Sequence, residues 1–503
     1  MKESALPVRT QDASFHDMMA EQLRHAPWLA LSLVVHAVVL LVVWLLLPPQ
    51  EARRVENHAM VTPAAEPIEP PTEQPIEQPK VEPTEPQIVE NVPTEIPTED
   101  PTDTKDAGEV TGDDSPTLSA FTSNQWNTAM GIGSGSTGKG PKGDGGRGKR
   151  GHGDSPINPT LDRALDWLAR HQDQDGRWDC DQFMKHDASG EPCDGAGNPV
   201  HDVGVTALAL MAFLGDGHTM RQGRYRDTVR GAVRWLREQQ DPNGRFGPAA
   251  SGDFIYDHAI AAYAMSEAYG LSQYSLLAPV AQRGIDYLQA HRNPYGAWRY
   301  QPRDGDNDTS VTCWCIMALT SGRHWGLTVD SNALAMATTF LDSCTTPDGR
   351  CGYSRAGQPS ARKVGDQETR FPAERTEALT AAGLFARFCL GQDPKEKDCM
   401  RAAADRLVAQ RPNWDTKAGT IDHYYWYYGS YALFQIGGNA WREWSKALTP
   451  AVLKTQRTDG NANGSWDPID AWGEDGGRVY STAILALTLE AYFRYTRLVP
   501  AAK

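Results

Sequence analysis

Two patterns of apolar residues alternate along residues 157–498. The first is amphipathic. In "RALDWLAR", residues 163–170, apolar side chains recur every three or four positions with charge between them, which predicts a helix with one wet face and one packed face. The second is apolar almost all round: "DVGVTALALMAFLG" from 202, "DHAIAAYAMSEAYG" from 257, "DTSVTCWCIMALTSG" from 308, "ERTEALTAAGLFARF" from 374, "DHYYWYYGSYALF" from 422 and "VYSTAILALTLEAYF" from 479. A helix with no polar face must be enclosed by other helices. Six amphipathic helices thus alternate with six enclosed ones, at intervals of roughly fifty residues.

The turns between them repeat as well. "ALDWLARHQDQDGRW" (164–178) returns as "AVRWLREQQDPNGRF" (232–246), "GIDYLQAHRNPYGAW" (284–298) and "ATTFLDSCTTPDGRC" (337–351). In all four a glycine, Gly176, Gly244, Gly296 or Gly349, lies nine residues after the aromatic of the helix. Two looser copies, "AADRLVAQRPNWD" at 403 and "KTQRTDGNANGSW" at 454, keep Trp414 and, around an insertion, Gln456, Gly464 and Trp466. Helical hairpins repeated in this way bury their apolar stripes on their neighbours, either as an open solenoid or as a closed ring.

"RALDWLARHQDQDGRW" resembles the QW repeat of squalene and oxidosqualene cyclases, and "DTSVTCWCIMAL" resembles an inner helix of protein prenyltransferase β subunits. The resemblance covers nearly all of 157–498. It implies an all-α, α6/α6 toroid with amphipathic helices outside, apolar helices inside and a central cavity. It also implies that the glutamine caps helix ends and that Trp178 staples one repeat to the next.

The chemistry of those families is not carried over. The cyclases protonate an alkene with an Asp of a DxDD motif; the matching stretch here is "DGDNDTS", which puts Gly305 and Asn307 in place of the first two aspartates. Asp308 retains the last position and Asp306 lies beside it, so these two are the candidates for a displaced acid. Asp308 at a helix start should be ionised by the dipole and the capping N–H groups, making it a poor donor. The prenyltransferases hold zinc by an Asp-x-Cys pair and a later His, but Val311 occupies the histidine position and no inner helix begins Asp-x-Cys. No metal or cofactor is expected.

What remains is a ring of polar residues at the starts of the inner helices. Asp202, Asp257, Asp308 and Asp422 stand where N-caps are wanted. His258 and His423 follow two of them directly and can converge as an acid/base pair or as ligands, the alternative being plain core packing. Trp314 and the run Tyr424 to Tyr428 add aromatic faces suited equally to packing, isoprenoid chains or sugars. The readings are therefore a binding module for a lipid, peptide or glycan, or an enzyme of the cyclase or transferase type with a displaced acid.

Charge changes the picture only upstream. Of the net −15 of the 503-residue chain, −13 falls within residues 49–118, which hold 17 acidic and 4 basic side chains. "EPIEPPTEQPIEQPKVEPTEPQ" is proline-punctuated and self-repelling, so residues 49–130 are expected to form an extended spacer. A glycine-rich basic tract at 131–156 reads as a flexible linker or a polyanion-binding tail, and nothing points to nucleic acid. Ahead of these, "WLALSLVVHAVVLLVVWLLL" (28–47) is long enough to span a bilayer, so residues 27–48 are expected to be a transmembrane helix behind a cytoplasmic tail, 1–26. A cleaved signal peptide is the alternative.

Ser32 and His36 are four residues apart and share one face of that helix. This face and the Pro/Glu-rich spacer resemble the anchor of TonB-type energy transducers, which implies docking on an ExbB/ExbD-type proton-driven motor. Three cysteine pairs bracket polar loops, Cys180 with Cys193, Cys344 with Cys351 and Cys389 with Cys399, and read as disulfide staples, with metal binding as the rival. Disulfides imply an oxidising compartment, hence a single-pass inner-membrane protein with an exported toroid.

Overall fold

A computed structural model describes residues 156–492, apart from 273, 295, 361 and 363–365. They all belong to one unit, 101–503; the other, 1–100, lies outside the described residues. So do the expected membrane span, its Ser32 and His36, the spacer and the linker. No helix among the described residues is long and apolar enough to cross a membrane.

Among the described residues there are no β-strands. The main helices are α1 (Ile157–Arg170), α2 (Asp202–Gly215), α3 (Arg226–Glu238), α4 (Ile255–Ser272), α5 (Ala278–His291), α6 (Thr309–His324) and α7 (Ser331–Cys344), then the short α8 (Asp366–Arg370). They continue with α9 (Ala378–Cys389), α10 (Asp398–Ala409), α11 (His423–Ile436), α12 (Gly438–Leu453) and α13 (Gly473–Glu490). The apolar helices pack in a closed circle, α2 on α4, α4 on α6, α6 on α9, α9 on α11, α11 on α13 and α13 back on α2. Each amphipathic helix packs outside the apolar helix that precedes it in the ring, α3 on α2, α5 on α4, α7 on α6, α10 on α9, α12 on α11 and α1 on α13, and α12 also reaches α1. The ring is therefore closed, which the repeat pattern alone left open.

The repeated glutamine and glycine explain the closure. Gln172 Nε2 donates to Gly176 O (2.8 Å) in its own turn and to Thr228 O (2.9 Å) in the first turn of the next outer helix, α3. Gln240 does the same to Gly244 O (3.1 Å) and to Val280 O (3.0 Å) of α5. Gln456, in the last repeat, donates to Gly464 O and to Thr160 O of α1, both at 2.8 Å. The glycines serve the same junction: Gly176, Gly244 and Gly464 have φ of 105°, 93° and 101°. A Cβ on any of them would collide with a carbonyl of the following outer helix, Gly231, Arg283 and Arg163 respectively.

The tryptophan has a different task from the one expected. Trp178 Nε1 donates to Leu168 O (2.8 Å) of its own outer helix, its ring stacks on Phe213 of its own inner helix, and its backbone N–H bonds Thr206 Oγ1 (2.9 Å). It joins the two helices of one hairpin, and the glutamine joins neighbouring hairpins. Trp298 and Trp466 repeat this, donating to Leu288 O and Val452 O, with backbone N–H groups on Thr312 and Thr482.

The expected disulfides are not formed. All eight cysteines are free thiols. Hydrogen bonds hold these loops instead: Asp187 accepts from Cys193 N (2.6 Å), the Cys180 thiol faces Asp475 O and Gly476 O, and Gly352 N donates to Cys344 O (2.9 Å). Cys389 is buried on inner helix α9 and Cys399 half-buried on outer helix α10. The structure thus gives no support to the export argument built on these bonds.

Candidate functional site

The N-terminal turns of the six inner helices surround a central cavity of about 260 Å³. Leu208 of α2, Ile260 of α4 and Trp314 of α6, one or two turns into their helices, and Ile484 further along α13 line it with apolar surface, with Val205 and Leu379 nearer the starts of α2 and α9. Nearer the helix starts the lining turns polar, with His201, Asp253, Tyr256, Asp257, Tyr300, Ser310, Tyr353, Arg362, Tyr424 and Asp475. The cavity is amphiphilic, and its apolar part lies deeper.

Of the sequence candidates, Asp257, Trp314 and Tyr424 face this cavity. Asp257 is not an N-cap, because α4 starts two residues earlier at Ile255. Its carboxylate instead meets His201 Nδ1 at 3.1 and 3.3 Å. Burial is the largest influence on both groups. It raises Asp257, whereas for His201 the hydrogen bond and charge of Asp257 together outweigh it and raise the imidazole also. Both shifts favour a proton held between the two groups. Tyr424 Oη bonds Ser310 Oγ (2.8 Å), and Trp314 stacks on Tyr427 at 5.8 Å between ring centroids.

Asp308 lies just behind the wall. Its side chain caps α6 by accepting from Val311 N (2.8 Å), and its Oδ2 accepts from Tyr353 Oη (3.3 Å). Tyr353 in turn bonds Tyr300 Oη (2.6 Å), and both tyrosines line the cavity. The expected ionised cap is overturned. Burial, ahead of the opposing Val311 N–H and the Arg299 charge, pushes Asp308 up to about 7, so its proton is lost only around neutrality. Capping alone did not decide the matter because the carboxylate is fully enclosed.

The other candidates are placed elsewhere. Asp306 is exposed, paired with Arg299 (3.1 Å) in a shallow outer depression, and does not line the cavity. Asp202, the first residue of α2, turns toward the preceding loop, accepting from Cys180 N and pairing with Arg177. Asp422 caps α11 at Tyr425 N (2.9 Å) and holds Arg362 at 2.8 Å, so it reaches the cavity only through that guanidinium. His258 and His423 do not converge. His258 Nδ1 accepts from Phe246 N (3.0 Å), the bond that Thr206, Thr312 and Thr482 supply in other repeats, and Nε2 reaches Gly284 O. Burial lowers it to about 3, which keeps it neutral for that acceptor role. His423 is packed among Trp414, Trp426 and Asp470, also driven down to about 3 by burial.

Residues from irregular segments complete the lining, and they were not singled out from sequence: His201, Tyr300, Tyr353 and Arg362. Two lining residues did stand next to flagged positions, His201 directly before Asp202 and Tyr256 directly before Asp257. Two trios among the described residues bring metal-ligating atoms together, His171 with Asp187 and Cys193, and Asp179 with Asp181 and Asp202; none of these lines the cavity.

No family model matches the chain. Over 214 residues it is 24% identical to a squalene–hopene cyclase of Bradyrhizobium diazoefficiens, a stretch covering 38% of this chain and 30% of that protein. The toroid is squalene-cyclase-like. Among solved structures it is similar to an α-1,6-mannanase of a Salegentibacter species, with a TM-score of 0.47 and 10% identity over 67% of this chain and 98% of that one. It is also similar to a type II terpene cyclase from Scytonema, with a TM-score of 0.43 and 14% identity over 67% of this chain and 97% of that one.

Proposed function

We propose that the toroid is a binding module for an amphiphilic lipid, tethered to a membrane by residues 27–48 with its globular part exported. The observation that carries the ligand class is the graded lining of the central cavity, apolar at Leu208, Ile260, Trp314 and Ile484 and polar at the helix starts. A hydrocarbon chain buried against the first set gains roughly 25 cal/mol per Å². A hydroxylated or cationic head then meets Asp257, Tyr300 and Tyr424. A glycan or peptide would leave its polar groups unpaired against the deep surface, which disfavours both. The volume sits just below the ~300–1,000 Å³ of ordinary small-molecule sites, so the ligand is small or enters by one end.

Lipids extracted from the purified chain and identified by mass spectrometry test this reading. Leu208→Trp, which fills the apolar end, should remove the bound species while leaving helicity unchanged. A wild-type protein that carries none, and takes up none from isoprenoid or fatty-acyl vesicles, refutes it.

A second reading is an acid catalyst of the cyclase type. It is favoured by one observation, the chain from Asp308 through Tyr353 to Tyr300, along which a proton on Asp308 can be passed to the cavity. Turnover of squalene or a prenyl diphosphate, lost in both Asp308→Asn and Tyr353→Phe, would establish it in place of simple binding. Docking of the Ser32 and His36 face on an ExbB/ExbD-like motor is a separate proposal, compatible with either.

A further inference from the structure

His171 lies at the end of α1 with its ring fully buried, stacked on Trp167 at 4.1 Å and edge-on to Phe183 at 6.0 Å. Its Nδ1 is 2.8 Å from Trp167 O. A carbonyl only accepts, so Nδ1 carries the hydrogen and the neutral ring presents a lone pair at Nε2. That lone pair points at Asp187 Oδ1, 3.0 Å away, which is another acceptor. Two acceptors at this distance in an enclosed site are bridged either by a proton or by a metal ion.

The Cys193 thiol completes the group. The three ligand atoms all lie within 4.8 Å of one another. A tetrahedral zinc ion, with bonds of ~2.0–2.3 Å, wants its ligands ~3.3–3.8 Å apart, a spacing that small side-chain shifts supply. Asp187 Oδ2 already accepts from Cys193 N (2.6 Å), and the Nδ1–H bond to a backbone carbonyl is the kind of outer support that orients a metal-bound imidazole.

We propose that His171, Asp187 and Cys193 form a structural divalent-metal site of zinc type. Its position suits a structural ion. The loop that carries it is tied to the last repeat: Asn461 bonds the backbone of Ala188 and Glu191, Trp167 Nε1 donates to Asn461 O, and Arg478 Nε donates to Asp194 O. The ion therefore braces the seam where the first hairpin meets the last. Binding displaces the thiol proton to solvent, one per metal, and leaves the fourth position of the tetrahedron for water. Cys180 takes no part, since its thiol faces the carbonyls of Asp475 and Gly476.

Titration of the full-length, reduced protein with Co²⁺ reads the site directly. One equivalent should bind per chain and produce a thiolate-to-cobalt charge-transfer band in the near ultraviolet, displaced by Zn²⁺. Cys193→Ser should abolish the band and weaken Co²⁺ binding by about tenfold or more with unchanged far-ultraviolet circular dichroism, and Cys180→Ser should leave the band intact. No stoichiometric Co²⁺ binding to the wild type, a band that survives Cys193→Ser, or a Cys180–Cys193 disulfide in the protein mapped without reductant overturns the proposal.

Discussion

Gln456→Ala probes the seam of the ring through a side chain whose partners lie at the opposite end of the domain. Gln456 donates to Thr160 O and Gly464 O at 2.8 Å, and its Oε1 accepts from Arg163 Nε (2.9 Å) and Nη2 (2.6 Å). Alanine strands the Gly464 carbonyl and a half-buried guanidinium, and removes from Thr160 O the bond it accepts besides its own helical one. At about 1–3 kcal/mol for each buried group left unsatisfied, and less for the partly hydrated arginine, the loss should be roughly 3–4 kcal/mol. An unfolding entropy of ~2.1 cal/mol/K per residue over roughly 340 residues converts that into a Tm lowered by about 4–6 °C. Gln172→Ala, which breaks the equivalent pair of bonds to Gly176 and Thr228 between sequence neighbours, should cost about half as much. Thermal melts followed at 222 nm compare the two. In an open solenoid Gln456 has no α1 to bond, so a Gln456→Ala shift under ~1 °C beside a clear Gln172→Ala shift would refute ring closure.

Gly244→Ala places a Cβ against Arg283 O at a φ of 93°, so it should destabilise by about 2 kcal/mol or more, whereas Gly252→Ala, which meets nothing, should be close to neutral by the same melts. Because Asp308 is raised in the folded state relative to its ordinary value of 3.8, folding takes up a proton between pH ~4 and 7, and its contribution to stability falls as pH rises through that window. Denaturant midpoints at pH 5 and pH 8 should therefore differ less in Asp308→Asn than in the wild type; an unchanged difference would mean Asp308 ionises normally. His258→Thr, which restores the hydroxyl acceptor used by other repeats, should be tolerated within ~1.5 kcal/mol, while His258→Leu should cost about 1–3 kcal/mol by leaving Phe246 N unbonded. His36→Ala should abolish co-purification of ExbB/ExbD-like proteins without preventing membrane insertion, and unchanged partners would retire the transducer proposal.

The amino-acid sequence determined the helices and their two kinds, because a helix enclosed on all sides cannot afford a polar face and one at the surface needs one. It also exposed the turn unit, since only glycine fits a left-handed turn pressed against the next outer helix, and that demand recurs at Gly176, Gly244 and Gly349. Ring closure was not legible there: the bond from Gln456 to Thr160 spans nearly the whole domain, and local pattern says nothing about so distant a partner. The site divided the same way. Asp257 and Tyr424 sit at regular helix starts, with Trp314 a turn further into α6, and could be singled out, but Tyr353 and Arg362 come from an irregular segment with no period to mark them. Protonation was decided only by tertiary structure, because burial is a property of neighbours. Asp308 and Asp306 are two residues apart and chemically identical, yet one is sealed behind the cavity wall and held near neutrality while the other lies in water. His258, for which ligand and core packing were both open beside its aspartate, was decided in the same way: the packed repeat has it accepting the hydrogen bond that a threonine accepts elsewhere.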